Sequence, residues 1–300
     1  MAGKKIAIIG AGVMGQGLAE AVAAAGTEVT LIDKTTRLAE RGVKAIAEAM
    51  NREIGKWGLT ESDKKAILAR IYPSSDLSMT EDAEIILEAI PEDLQMKRDL
   101  FEKLDTVVRP DALLVTNTGT ISVSEIAAVT ERPQKIIGMH FLTPVTKVPV
   151  VEIVKGFHTD DDTFRKAVAF AQLLDKEYIT VNEYPGYVTT RIIVPLLNEA
   201  MHVLMEGVAS ADDIDRAMKL GFGFNMGPLA LADVMGLDVV MKWMENLLDE
   251  LAEHKYNPCP LLRKMVRSGH LGVKTGRGFF VYDNEGNRVP NPAAAAAVTK

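Results

Sequence analysis

Lys5-Ile6-Ala7-Ile8-Ile9-Gly10-Ala11-Gly12-Val13-Met14-Gly15 decides the fold: a short apolar strand, a G-x-G-x-x-G turn, and an alanine-rich helix running on to Gly26. Gly10 permits a tight turn, Gly12 lets the backbone approach a pyrophosphate, and Gly15 lets helix and strand pack closely. The amino terminus of the helix, with Val13 and Met14 in the same cradle, offers N–H groups and a partial positive charge to phosphates. Glycine-rich turns are common, so context carries the weight. Here a strand precedes the turn, a helix follows it, and Asp33 ends the next strand. Asp33 is placed to accept hydrogen bonds from both hydroxyls of an adenosine ribose and to repel a 2′-phosphate, which favours NAD over NADP. Lys34 and Arg37 are the counter-signal, as phosphate ligands or as ordinary solvated charge.

Working outward, short β-branched runs alternate with helical stretches at Ile6–Ile9, Glu28–Ile32, Glu84–Ile90, Ala112–Thr116 and Lys135–Met139. Such alternation specifies an α/β fold, a Rossmann-type, mostly parallel sheet with helices on both faces. Glu92–Val108 has helical spacing and is stopped by Pro110. After Val148–Val154 and Tyr178–Val181 the strand signals cease, and the pattern becomes helical to about Arg267. The expected helices are Tyr187–Glu206 with Pro195 within it, Ala211–Leu220, Leu229–Glu253 and Pro260–Ser268. The change near Tyr184-Pro185-Gly186 sets the expected domains at 1–184, binding the dinucleotide, and 185–300, all helical.

The chain has 300 residues, 47% hydrophobic and 25% charged, enough for a sizeable core. A net charge of -7 offers no broad basic surface, so neither nucleic acid nor a membrane is an expected partner. The one cysteine, Cys259, excludes an internal disulfide and a cysteine-clustered metal site; no metal is expected, and a reducing cytoplasm fits. No signal-type segment precedes the first strand. No apolar run reaches the roughly 20 residues that span a bilayer.

His140 ends the run Lys135–Met139, where residues of an open parallel sheet face the cofactor crevice. Thr143-Pro144-Val145-Thr146-Lys147 reads as a turn and Val148–Val154 as a returning strand. A hairpin centred near Thr146 puts Glu152 directly across from His140, at the roughly 5 Å Cβ separation of cross-strand pairs. Glu152 also interrupts the apolar string Val148, Val150, Val151, Ile153, Val154, and a carboxylate among buried valines needs a partner. An imidazole suits proton transfer during oxidation of a secondary alcohol. Glu152 would orient the ring. A purely structural His–Glu pair is the alternative.

These residues resemble the short-chain L-3-hydroxyacyl-CoA dehydrogenases, including bacterial 3-hydroxybutyryl-CoA dehydrogenases. The resemblance runs from Gly10–Gly15 through Gly138-Met139-His140-Phe141, Pro185-Gly186-Tyr187 and Asp213–Gly221. It continues in Met226-Gly227-Pro228-Leu229 and Gly272-Val273-Lys274-Thr275-Gly276-Arg277-Gly278-Phe279. It implies NAD as cofactor, an acyl-CoA-like substrate, a helical C-terminal domain that forms a homodimer, and His140 with Glu152 as the catalytic pair. It also implies Glu92, Lys97, Asn117, Thr143 and Lys274 as cofactor contacts, and Arg52 and Lys56 as contacts to CoA phosphates.

Three departures gather where the family holds its substrate. Thr116-Asn117-Thr118-Gly119-Thr120 replaces Ser-Asn-Thr-Ser-Ser, so Gly119 takes the place of a substrate-binding serine. His140-Phe141-Leu142-Thr143-Pro144 replaces His-Phe-Phe-Asn-Pro, and Thr143 stands for an asparagine. Pro185-Gly186-Tyr187-Val188-Thr189-Thr190-Arg191 replaces Pro-Gly-Phe-Val-x-Asn-Arg, so Thr190 stands for a second one. A lost oxygen-binding donor costs on the order of 3 kcal/mol unless Thr120, Thr190 or water substitutes. Three readings remain: a 3-hydroxyacyl-CoA dehydrogenase, a relative reshaped for a non-CoA carbonyl, imine or hydroxy acid, and a weakly catalytic NAD- or acyl-CoA-binding protein.

Overall fold

A computed structural model describes residues 5–55 and 58–290. The chain divides into two compact units, Met1–Tyr187 and Val188–Lys300. In the first, β1 (Ile6–Ile9), α1 (Val13–Ala24), β2 (Val29–Ile32), α2 (Thr36–Ile54), α3 (Glu61–Leu68) and β3 (Ile71–Ser74) form one half of the sheet. The other half comprises β4 (Ile85–Glu88), α4 (Leu94–Val107), β5 (Leu113–Thr116), α5 (Val123–Ala127), β6 (Ile136–Phe141), β7 (Val150–Lys155), α6 (Asp161–Leu173) and β8 (Glu177–Asn182). The strand order is β3-β2-β1-β4-β5-β6-β7-β8. Strands β1 to β6 pair in parallel, β7 runs antiparallel to β6, and β8 is parallel to β7.

Alternate residues of β1 feed two cores: Ile6 and Ile8 pack with α1 and α6 residues, while Ala7 and Ile9 pack with Phe101 and Leu104 of α4. Burial on both faces is why these strands read as continuous apolar runs. Strand β3, Ile-Tyr-Pro-Ser, carries no such run, because it lies at the sheet edge. There Pro73 is tolerated, since a missing N–H costs little where one side of the strand has no neighbour.

The second unit contains α7 (Thr189–Met205), α8 (Ala211–Phe222), α9 (Pro228–Met235), α10 (Leu237–Leu251) and α11 (Pro260–Arg267) around its own core. Two of its features differ from expectation. Leu229–Glu253 is two helices rather than one, broken at Gly236, whose φ of 96° no helix accommodates. A short antiparallel hairpin, β9 (Val281–Tyr282) with β10 (Arg288–Val289), joins the otherwise helical unit. Buried Asp233 organises this end by accepting from the N–H groups of Phe279 and Phe280 and the Tyr282 hydroxyl. A Cβ at Gly272 or Gly278 would collide with Asp233, which accounts for two glycines of the Gly272–Phe279 motif.

Candidate active site

The turn after β1 and the end of β4 meet where the strand order reverses, the position at which open α/β sheets bind ligands. Gly10 has φ 107°, and a Cβ on it would stand 2.5 Å from the Ala89 carbonyl; one on Gly15 would stand 1.7 Å from the Gly10 carbonyl. Gly12 has nothing within 4 Å of its missing Cβ, so its backbone is open to an incoming group. Asp33 accepts from the Ala11 N–H at 2.8 Å and from the Lys34 N–H at 2.7 Å, which brings its carboxylate to the glycine turn. Gly12, Val13, Gln16, Asp33 and Arg41 line a cleft of about 550 Å³ there. These residues fit a dinucleotide: open backbone beside a helix amino terminus for the phosphates, and a carboxylate for the ribose.

Two strands away, β6 and β7 pair so that His140 faces Glu152, the register expected from a hairpin centred at residue 146. His140 is 3% and Glu152 1% exposed, and Nδ1 lies 2.7 Å from Oε2. An ionised carboxylate only accepts, so Nδ1 carries the hydrogen of this contact. Two further contacts fix the hairpin. Asn117 accepts from the Phe141 N–H through Oδ1 at 2.9 Å, tying the end of β6 to the loop after β5. Buried Lys176 donates to the Val145 and Val148 carbonyls, both at 2.6 Å. Burial lowers the pKa of its ammonium, with Asp175 opposing.

Beneath that loop lies a charged network. Lys97, with no exposed side-chain surface, pairs with Glu88 at 2.6 Å and lies 3.6 Å from Glu92. Glu88 also accepts from the Thr116 hydroxyl at 2.7 Å; burial pushes its carboxyl up, with Lys97 opposing. Glu92 Oε1 gathers four donors: the Thr118 hydroxyl at 2.6 Å, and the Gly119 N–H, Thr120 N–H and Thr120 hydroxyl, each at 2.9 Å. Burial pushes Glu92 up, but Lys97 and these donors outweigh it and hold the carboxyl below the usual range. Glu88 is the residue that sequence reasoning missed. Its signal was the one used for Glu152, a carboxylate closing the apolar run Ile85-Ile86-Leu87.

The remaining candidates are dispersed. Thr143 is exposed in the β6–β7 turn, Arg52 is exposed in the last turn of α2, and Lys56 lies outside the described residues. In the second unit, Thr190 is buried near the start of α7, its hydroxyl without a hydrogen-bond partner among the described residues. Lys274 pairs with Asp238 at 2.5 Å.

Residues 5–184 match the 3-hydroxyacyl-CoA dehydrogenase NAD-binding domain, and residues 186–282 match the C-terminal domain of the same enzymes. The chain belongs to the 3-hydroxyacyl-CoA dehydrogenase family. It is an NAD-dependent dehydrogenase of that family, which sets aside the reading as a weakly catalytic binding protein. It is 43% identical to a probable 3-hydroxybutyryl-CoA dehydrogenase of Bacillus subtilis, over 94% of this chain and 98% of the relative. Among solved structures, (S)-3-hydroxybutyryl-CoA dehydrogenase PaaH1 from Ralstonia eutropha is 42% identical with a TM-score of 0.83, over 94% of this chain and 99% of that one. FadB2 of M. tuberculosis is 35% identical with a TM-score of 0.89, over 93% and 99%. Among the described residues, no helix is long and apolar enough to cross a membrane.

Proposed function

We propose that His140 exchanges a proton with the substrate oxygen, that Glu152 orients it, and that the substrate is a short 3-oxo- or 3-hydroxyacyl-CoA. The observation that carries this reading is the buried contact between His140 Nδ1 and Glu152 Oε2. It sets a negative charge against the imidazolium that forms. The names of the 3-hydroxybutyryl-CoA dehydrogenase relatives support the thioester. NAD, when bound, supplies the hydride carrier. Gly10, Gly12, Val13, Met14, Gly15 and Asp33 are assigned to hold it, with Glu92, Lys97, Asn117, Thr143 and Lys274 toward its nicotinamide end. Thr120 and Thr190 are assigned to the substrate oxygen beside Gly119, and Arg52 and Lys56 to CoA phosphates.

Residues 1–184 are assigned to the cofactor and 185–300 to the substrate and a homodimer in the cytoplasm. Exposed Ile192 on α7 and Leu220 and Phe222 on α8 supply apolar surface for that dimer; a monomer in sedimentation at micromolar concentration removes it. One observation favours a second substrate class. The Gly119 N–H is committed to Glu92 and position 119 has no hydroxyl, which suits a non-thioester carbonyl needing fewer donors.

NADH oxidation measured with acetoacetyl-CoA and with a panel of simple ketones separates the two classes. In His140→Ala, kcat falls at least about 10²-fold on the preferred substrate while NADH affinity stays close to that of the unaltered protein. Unchanged turnover would remove His140 from the chemistry.

A further inference from the structure

The glycines that let the β1 turn approach a phosphate also leave its backbone loosely specified. Gly12 has nothing within 4 Å of its missing Cβ, so the Ala11–Gly12 peptide can turn over at little steric cost. Turned over, it exchanges the places of its N–H and its carbonyl, and a carbonyl repels phosphate. Gln16, in the first turn of α1, opposes this. Its side chain reaches back along the chain, and Nε2 donates to the Ala11 carbonyl at 2.8 Å. Helix α2 closes on the same carbonyl, since a Cβ at Gly42 would stand 3.1 Å from its oxygen. Asp33 accepts from the Ala11 N–H at 2.8 Å, so both polar ends of Ala11 are held, each by a different side chain. Asp33 is unsuited to the other end, because a carboxylate accepts and a carbonyl needs a donor. A trans peptide is planar with its C=O and N–H opposed. A fixed Ala11 oxygen therefore fixes the direction of the Gly12 N–H, which donates to no group among the described residues. Gly12 and Gln16 line the same cleft.

We infer that Gln16 is a positioning residue for the cofactor: its amide locks the Ala11–Gly12 peptide and so aims the Gly12 N–H at the pyrophosphate. The lock spends an acceptor of the turn and none of its donors, which stay available to the phosphates. This inference rests on Gly12 receiving those phosphates, as proposed above.

Gln16→Met keeps the length of the side chain and removes the donor; Gln16→Glu removes it and sets a carboxylate against both the carbonyl and the phosphates. In fluorescence titrations NADH should bind about fivefold less tightly to Gln16→Met, the effect of one hydrogen bond. For Gln16→Glu the loss should be on the order of 50-fold. ADP-ribose, measured by displacement of NADH, should follow NADH, whereas adenosine, which has no phosphate, should bind Gln16→Met as it binds the unaltered protein. The chain has three Ala–Gly peptides, Ala2–Gly3, Ala11–Gly12 and Ala25–Gly26, so carbonyl-labelled alanine with nitrogen-labelled glycine isolates their amide signals. The Gly12 signal, assigned by its loss in Ala11→Ser, should move in cofactor-free Gln16→Met while the Gly26 signal holds. Unchanged NADH affinity in both variants, or a Gly12 signal that stays in place, overturns the inference. So does an equal loss for adenosine, which would make Gln16 a wall of the adenosine pocket instead. If ADP-ribose binds the unaltered protein no more tightly than adenosine, the turn does not hold the phosphates, and the assignment of Gly12 falls with the inference.

Discussion

The loop after β1 and the loop after β5 leave strands on either side of β4, and they are held by opposite means. Backbone shape holds the first: Gly10 and Gly15 approach other backbone too closely for any Cβ, and Gly12 stays open. One carboxylate holds the second, with Glu92 accepting four donors from Thr118, Gly119 and Thr120. A loop that receives phosphate must keep N–H groups available, so beyond the Ala11 N–H that Asp33 takes it is fixed by shape rather than by spending donors. A loop with no phosphate to receive can spend its donors, and a partly buried anion pinned by Lys97 gathers them.

The comparison breaks most sharply at Gly15. Gly15→Ala puts a Cβ into the Gly10 carbonyl and should cost NADH affinity on the order of 10²-fold, about 3 kcal/mol, in a fluorescence titration. Affinity near that of the unaltered protein would mean that the turn is not held by backbone contact.

Glu92→Gln tests the other loop. It removes a partly buried charge beside Lys97 and leaves a weaker, neutral acceptor for the loop's donors, and about 2 kcal/mol of stability should go in denaturant unfolding at neutral pH. The sign with pH follows from a carboxyl held below its ordinary value. Its stabilisation is complete above about 4.5 and is lost as pH falls further, so the two proteins converge in acid. A difference independent of pH would mean that shape rather than charge holds the loop.

The smallest effect is expected at Asp33, which adds charge to a turn already set by backbone. Asp33→Ala should narrow the preference for NADH over NADPH about tenfold, roughly 1.4 kcal/mol. An unchanged ratio in paired titrations would assign the discrimination to other groups.

The sequence alone determined what depends on local pattern. The β1 turn was legible because sterically required glycines leave a mark at each position. Most of the sheet was legible because strands buried on both faces must be apolar, and the second unit because its helices need an apolar stripe. The His140–Glu152 register was legible because a hairpin reduces pairing to counting residues from the turn. Tertiary structure alone decided the rest. Edge strand β3 has no apolar run to announce it, since one of its sides has no strand to satisfy. The break at Gly236 depends on how α9 and α10 pack, not on their shared apolar period. The gathering of Glu88, Lys97, Glu92 and Thr116 joins residues up to 28 apart in the chain. Their meeting is a product of strand order, because a buried charge records in sequence only that it needs a partner, and the fold determines which partner it finds.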